Sequence, residues 1–267
     1  MSVDEIAAAD PALRLYAAVF GADEPDVDDL AESFHEASKL HPALAERQAR
    51  GIARLAASPA LLAATQRPVR RNRQRPSVAL PPCTLAPAFR ARRSAHEFDG
   101  RPLALASLSE LLETGYGVTA PGRRTVPSGG ALYPLELYPV VVGVDGLECG
   151  VFHFDPPRHV LELVRAVDPA GALDAVCPFP GLLAGAAAVV FVTAVFWRSR
   201  FKYGLRGYRF ALLEAGHVVQ NVLLAAAARG IASLPLGGFY DAAVETLLGV
   251  DGVDESVVYA VVLGGDP

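Results

Sequence analysis

Four segments of this 267-residue chain carry residue types that could do chemistry. Arg92-Arg93-Ser94 sets two guanidiniums beside a hydroxyl, a combination that holds phosphate through charge-assisted, bidentate bonds. Pro127-Ser128-Gly129-Gly130 and Leu236-Gly237-Gly238 place paired glycines among small or apolar residues, so main-chain amides can approach a flat ring system. The fourth segment is a helix-patterned stretch with Glu214, Gly216, Gln220 and Asn221, whose polar atoms need partners once the surrounding apolar run is buried. Each segment alone has an ordinary explanation: arginines are mostly solvated, and a Gly-Gly pair is mostly a turn.

Other chemistries lack their signatures. There is no GxxxxGK[ST], GxSxG, HExxH or strand-following GxGxxG, which removes P-loop phosphoryl transfer, α/β-hydrolase and zincin chemistry. His153 and His159 could meet across a hairpin, but no histidines pair with metal-ligand spacing on a shared helix face, and no metal is expected. Cys83, Cys149 and Cys177 are odd in number and widely spaced, so buried, reduced thiols are expected rather than disulfides or a zinc pair. A net charge of −5 argues against nucleic acid. Asp4, Glu5 and Asp10 stand where an export signal needs a basic and then an apolar stretch, which makes the cytoplasm the expected location. The uncharged run from Ala175 to Trp197 is cut by Pro178 and Pro180, so it reads as a buried strand, and no membrane is expected.

The elements that must position these residues divide at about residue 87. Residues 1–87 read as a helical appendage and basic linker: the first 40 hold ten acids and two bases, whereas Arg67 to Arg75 holds five arginines and no acid. Helical spacing is expected at 11–20 and 43–57, and an extended crossover from Pro68 to Pro87. Residues 88–267 read as the main domain. Ser107 and Glu110 predict a capping box for a helix near 106–115. Strands are expected at Glu136 to Val144, Gly150 to Val164 as a hairpin turning at Asp155 to Arg158, Ala186 to Trp197, a stretch ending at Leu236, and Ser256 to Leu263. A helix from Arg206 to Arg229, apolar all round and stopped by Gly230, must be covered on every side. Strands and helices without regular alternation indicate an α+β fold.

RRSxxEFxGxPL, RRTVPSGGALYPLELY, GYRFALLEAGHVVQN and PLGGF, in this order, resemble the flavin-dependent nitroreductase superfamily, specifically its SagB-type or azoline oxidase branch. The resemblance covers residues 88 to 267, and SFHEASKLHP from Ser33 to Pro42 is similar to the FHE-SK motif near the start of SagB-type proteins. It implies an FMN-binding α+β fold, a mixed and mostly antiparallel sheet flanked by helices, in a homodimer whose protomers both hold the flavin. Carried over by position, Arg92, Arg93 and Ser94 bind the FMN phosphate and ribityl. Pro127, Ser128, Gly129 and Gly130 run along the isoalloxazine, Leu236, Gly237 and Gly238 give it backbone contacts, and Gln220 and Asn221 join the set. Two departures bear on the phosphate: His96 replaces the family's second basic residue, and the chain ends GGDP without the basic residue found near many C-termini. The phosphate site is then expected to be weaker, or to be completed by Arg206, Arg209 or the partner chain.

The same resemblance makes Lys202 and Tyr203, just ahead of GYRF, the catalytic pair. Only two lysines, Lys39 and Lys202, stand among 22 arginines. Oxidising an azoline removes a hydride and a proton; flavin takes the hydride, and a lysine set among cations or buried can take the proton. The expected activity is FMN-dependent oxidation of thiazoline or oxazoline rings to thiazole or oxazole in peptide natural-product biosynthesis, with oxygen restoring the flavin. The expected partners are a second copy, an azoline-bearing peptide or carrier-bound substrate, and a cyclodehydratase or synthetase. An NAD(P)H-dependent nitroreductase or flavin reductase would not need the Lys-Tyr pair, and a non-catalytic supporting subunit would not need flavin.

Overall fold

The computed structural model describes residues 30–65 and 78–267. The helical spacing at 11–20 and the arginine-rich stretch from Arg67 to Arg75 lie outside the described residues. Among the described residues four helices come first: α1 (Leu30–Ser38), α2 (Ala45–Ala56), α3 (Pro59–Thr65) and α4 (Pro87–Ala91). Then follow α5 (Leu105–Tyr116), the small pair β1 (Val118–Ala120) and β2 (Arg123–Arg124), and β3 (Leu135–Val141), β4 (Gly150–Asp155) and β5 (Val160–Arg165). The chain continues through α6 (Pro169–Val176), β6 (Ala188–Val195), α7 (Trp197–Tyr203), α8 (Leu205–Arg229), β7 (Ser233–Leu236), α9 (Asp241–Leu248) and β8 (Glu255–Leu263).

Six strands form one sheet in the order β5-β4-β3-β6-β8-β7, with every neighbouring pair antiparallel. The uncharged run resolves around its centre. All eight residues of β6 are buried, since the strand is covered on both faces and has no reason to alternate. On β3 the alternation separates two cores: Leu135, Leu137 and Val141 join the layer with α5 and α8, while Tyr138 and Val140 join the layer with α6 and α9. The α5–α8 contact is close because Gly115 has no side chain; a Cβ there would lie 2.7 Å from Val222 Cγ2.

α8 ends as its sequence requires. Gly230 takes φ 73°, and Ile231 N–H returns to the Ala226 carbonyl. Coverage of α8 is one-sided, however: Ala211, Val218 and Val222 are buried, whereas Leu213 is 63% exposed and Leu212, His217 and Gln220 also face outward. α8 is long and apolar enough to cross a membrane by composition, but its buried side packs on the sheet.

The capping box at Ser107 and Glu110 does not form. α5 begins at Leu105, Ser107 Oγ donates to Asp266 Oδ1 at 2.7 Å, and Ala104 N–H donates to Asp266 Oδ2 at 2.7 Å. Glu110 pairs instead with Arg229. The penultimate residue of the GGDP end therefore caps a helix about 160 positions away, and a carboxylate at that helix N-terminus also meets its dipole favourably. The cysteines differ from expectation as well: Cys177 is buried, but Cys83 and Cys149 are exposed, and all three are free.

Candidate functional site

The Pro127–Gly130 loop is shaped by residues on either side of it. The Arg124 guanidinium lies 4.1 Å from the centre of the Tyr116 ring and 5.2 Å from that of Tyr133, between two aromatic faces. Arg124 N–H donates to the Tyr133 hydroxyl at 3.0 Å, and Tyr133 N–H donates to Ser128 Oγ at 2.9 Å, which closes the loop on itself. Gly130, Ala131 and Tyr133 all take positive φ (67°, 56° and 46°), a compressed path that a glycine adopts without strain and the other two do not.

This path brings Gly130 against the end of α7. A Cβ on Gly130 would lie 2.6 Å from Tyr203 Oη and 2.9 Å from Lys202 Nζ, and one on Gly129 would lie 3.0 Å from the Phe210 ring. Two segments about 70 residues apart thus converge, with bare backbone facing an ammonium and a phenol. Lys202 is exposed and lies 5.3 Å from the centre of the Tyr203 ring, which packs edge-on against Phe210.

Beneath the loop sits Glu214, 2% exposed, accepting at 2.7 Å from the Tyr116 hydroxyl. Burial holds its carboxyl above the usual carboxylate range, while Ser128, Tyr116 and Arg124 pull partly the other way. Glu214 Oε2, Arg124 Nη1 and Thr125 Oγ1 are buried with no hydrogen-bond partner among the described residues. A cleft of about 240 Å³ opens between Ser128, Gly129, Phe210, Leu213 and Glu214. A larger one, about 590 Å³, lies on the opposite sheet face, where Glu136, His153 and Arg198 are committed to one another.

The phosphate-type residues lie elsewhere. Arg92 caps α4, which packs on α8, and Ala95 N–H donates to the Ser233 carbonyl of β7 at 2.9 Å. Arg92 is half-buried, Arg93 and Ser94 are exposed, and none of the three has a side-chain hydrogen bond or ion pair among the described residues. Leu236 is buried at the other end of β7; Gly237 and Gly238 follow, with a Cβ on Gly238 reaching 3.2 Å from Phe179. No hydrogen bond, ion pair or ring contact among the described residues joins Arg92–Ser94 to Pro127–Gly130. Gln220 is exposed on the open side of α8, and Asn221 Nδ2 donates to the Thr114 carbonyl, tying α8 to α5. Arg206 and Arg209 are exposed on the first turns of α8, the end that follows Lys202 and Tyr203 of α7.

Three roles are not visible in the sequence: Arg124 and Tyr133 as the frame of the loop, and Glu214 as its floor. Glu214 leaves a signal as an acid in an apolar helix, but its partner Tyr116 lies 98 positions away. His153 bonds Glu136 and His159 bonds Glu113, so the two hairpin histidines have separate carboxylate partners.

The sequence profile of the Nitroreductase family matches residues 89–265. The chain belongs to the nitroreductase family. Its α+β fold, an antiparallel sheet flanked by helices, is the architecture of that family, whose members bind FMN. The nitroreductase-family protein MJ1384 of Methanocaldococcus jannaschii is 39% identical over 59% of this chain and 80% of its own length. The microcin B17-processing protein McbC of Escherichia coli is 29% identical over 57% of this chain; the match spans 59% of McbC, less than two thirds. Among solved structures, a chain of the E. coli microcin synthetase McbBCD complex with truncated pro-MccB17 bound superposes with a TM-score of 0.71, 22% identity, and coverage of 100% of this chain and 98% of that one.

Proposed function

We propose that this nitroreductase-family protein is an FMN-dependent dehydrogenase that converts thiazoline or oxazoline rings of a peptide natural-product precursor into thiazole or oxazole. The observation that carries the reading is the convergence of Lys202 Nζ and Tyr203 Oη on the side-chain-free backbone of Gly130. Likeness to McbC, a microcin-processing protein, supports the peptide substrate class and the SagB-type branch.

The residues present fit FMN. Arg92, Arg93 and Ser94 offer two guanidiniums and a hydroxyl without side-chain partners among the described residues, and Gly129–Gly130 and Gly237–Gly238 offer backbone free of side chains. Held by these residues, FMN would supply the hydride acceptor, with oxygen as the oxidant that would restore it. Lys202 takes the proton lost from the azoline ring carbon, so the ring loses one hydride and one proton and gains one double bond. Tyr203 orients the ammonium or amine against the substrate, and Phe210 holds the Tyr203 ring edge-on. Glu214 and Arg124 keep the loop in its compressed path.

A second copy completes the site in this reading. Gly129 packs on Phe210 near the start of α8, whereas Arg92–Ser94 adjoin Ser233 just past its end, and the roughly 19 residues from Phe210 to Arg229 span about 28 Å of helix. The open face of α8, with Leu212 and Leu213, lies beside the loop and is the surface a second protomer would cover.

The test is purification followed by turnover. Yellow protein carrying one FMN per chain, dimeric by light scattering, that removes two hydrogens from a thiazoline or oxazoline peptide is the expected result. Vigorous NAD(P)H consumption without azole formation would assign a reductase instead, and colourless protein that does not take up added FMN would overturn the reading.

A further inference from the structure

The proposed chemistry leaves the SFHEASK segment unused, yet its side chains reach deep into the domain. On α1, Glu32 Oε1 pairs with Arg200 Nη1 at 2.9 Å, and Arg200, 4% exposed, is in the middle of α7, two residues ahead of Lys202. One turn on, His35 is buried with Nδ1 3.2 Å from Tyr208 Oη and Nε2 2.7 Å from Ser256 Oγ. Lys39 then reaches Glu245 at 3.2 Å and the Gly252 carbonyl at 2.8 Å. Glu32 and His35 lie one turn apart on a short helix, and Lys39 follows just past its last residue, so the three side chains together act as a key.

Proton counting fixes the direction of the bonds. Ser256 gives its hydroxyl proton to Glu245 Oε1, so Ser256 Oγ accepts from His35 Nε2–H. The neutral ring then presents a bare Nδ1, which accepts the Tyr208 O–H. Burial, with Lys39 adding to it, holds the His35 imidazole below its ordinary pKa, while Glu36 and Glu245 pull the other way; the lowered pKa favours the neutral ring that accepts from Tyr208.

The same contacts grip the elbow between α7 and α8. Phe196, ahead of α7, stacks on Tyr208 of α8 at 4.9 Å, and His35 stands edge-on to Phe196 at 5.2 Å. Gly204 turns the chain with φ 54°, and a Cβ on Gly207 would lie 2.7 Å from the Ser199 carbonyl carbon, so the two helices cross backbone to backbone. α7 itself has seven residues, too few to hold its own shape without outside contacts.

We propose that α1 is a clamp that positions Lys202 and Tyr203: Glu32 fixes α7 through Arg200, and His35 fixes the Phe196–Tyr208 bracket from which α7 and α8 diverge. Glu32 and His35 are positioning residues, touching neither substrate nor cofactor. Their effect on rate rests on the assignment of Lys202 and Tyr203 to proton removal; their effect on the placement of α7 does not.

The composition supplies the probes. Trp197, the first residue of α7, is the single tryptophan, so protein grown with 5-fluorotryptophan gives one ¹⁹F resonance from this helix. Reductive ¹³C-methylation labels the ammonium groups of Lys39 and Lys202 together with the N-terminal amine, and loss of one signal in Lys202→Arg assigns Lys202. The variants are Glu32→Gln, at a half-exposed residue, and Tyr208→Phe, which keeps the ring and removes the hydroxyl given to His35. Both are expected to retain FMN, to move or broaden the Trp197 and Lys202 resonances, and to lower kcat by about 10- to 100-fold with KM within about twofold. Glu32→Asp, which keeps the charge, should recover part of the kcat. Unchanged Trp197 and Lys202 resonances in both variants overturn the clamp, whatever happens to turnover. If the parent forms no azole, the functional reading fails, and the two resonances still decide the clamp.

Discussion

The Tyr116 hydroxyl donates a 2.7 Å hydrogen bond to Glu214 Oε1, joining α5 to α8 beneath the Ser128–Gly129 backbone. Tyr116 is fully buried and also receives the Leu135 N–H at the start of β3, so one phenol links two helices and the first strand of the six-stranded sheet. A carboxyl in that position is set by its surroundings more than by its own chemistry.

Because burial raises the Glu214 pKa above its unfolded value, the folded state binds this proton more tightly than the unfolded chain does. Its contribution to stability is complete below about pH 4.5 and is lost as pH rises through the folded pKa, each tenfold difference in proton affinity between the two states being worth about 1.4 kcal/mol. Glu214→Gln keeps an acceptor for Tyr116 and does not titrate. Thermal unfolding between about pH 4.5 and 7 should show a falling trend in the parent that is flatter in Glu214→Gln; parallel curves would remove Glu214 as the source.

Gly130→Ala tests the convergence itself. Its Cβ would meet Tyr203 Oη at 2.6 Å and Lys202 Nζ at 2.9 Å, and φ 67° costs an L-residue roughly 1 kcal/mol. The loop is at the surface, so the fold should survive with a small loss of melting temperature, while azole formation falls about 100-fold because both side chains are displaced. Gly129→Ala is the control: its Cβ meets the Phe210 ring at 3.0 Å, and a smaller loss is expected. Equal effects in steady-state assays would mean that loop strain, not displacement of the pair, is what matters.

How far these relationships are legible in the sequence depends on their range. β6 and the end of α8 are readable because burial on both faces and a left-handed Gly230 leave local marks. The β4–β5 hairpin is readable from its turn, where Arg158 N–H donates to Asp155 Oδ1. Ser107 misleads because a serine three residues before a glutamate looks the same whether its hydroxyl caps locally or binds Asp266. The four glycine- and arginine-bearing segments stand out as motifs, but which of them meet is decided by packing. Lys202 and Gly130 come together through the pairing of β3 with β6 and the crossing of α7 at Gly207, and neither leaves a local mark.

Arg92→Ala combined with Arg93→Ala should release FMN. Each charge-assisted bond to phosphate contributes about 1.5 to 3 kcal/mol, so losing one from each guanidinium weakens binding by at least roughly 100-fold. Neither arginine has a side-chain partner among the described residues, so the melting temperature of the apoprotein should stay close to that of the parent apoprotein. Flavin absorbance after gel filtration checks the first expectation and calorimetry of apoprotein the second. A double variant that keeps its flavin would move the phosphate site to other residues.

Lys202 carries the sharpest expectation, because the position can be altered without touching the core: the side chain is exposed, and its neighbour Tyr203 is braced by Phe210. Lys202→Ala should keep FMN and lower azole formation by about 10² to 10⁴, the usual effect of removing a general base. Tyr203→Phe should lose less if the phenol orients the lysine, and the double variant should lose no more than Lys202→Ala if the two act as a unit. Lys202→Arg separates charge from proton transfer, since a guanidinium stays protonated near neutral pH and cannot accept the ring proton. Its turnover, measured by mass loss of an azoline peptide, should fall as far as that of Lys202→Ala. Turnover retained in Lys202→Arg would leave the position with an electrostatic role and require another base near Gly130.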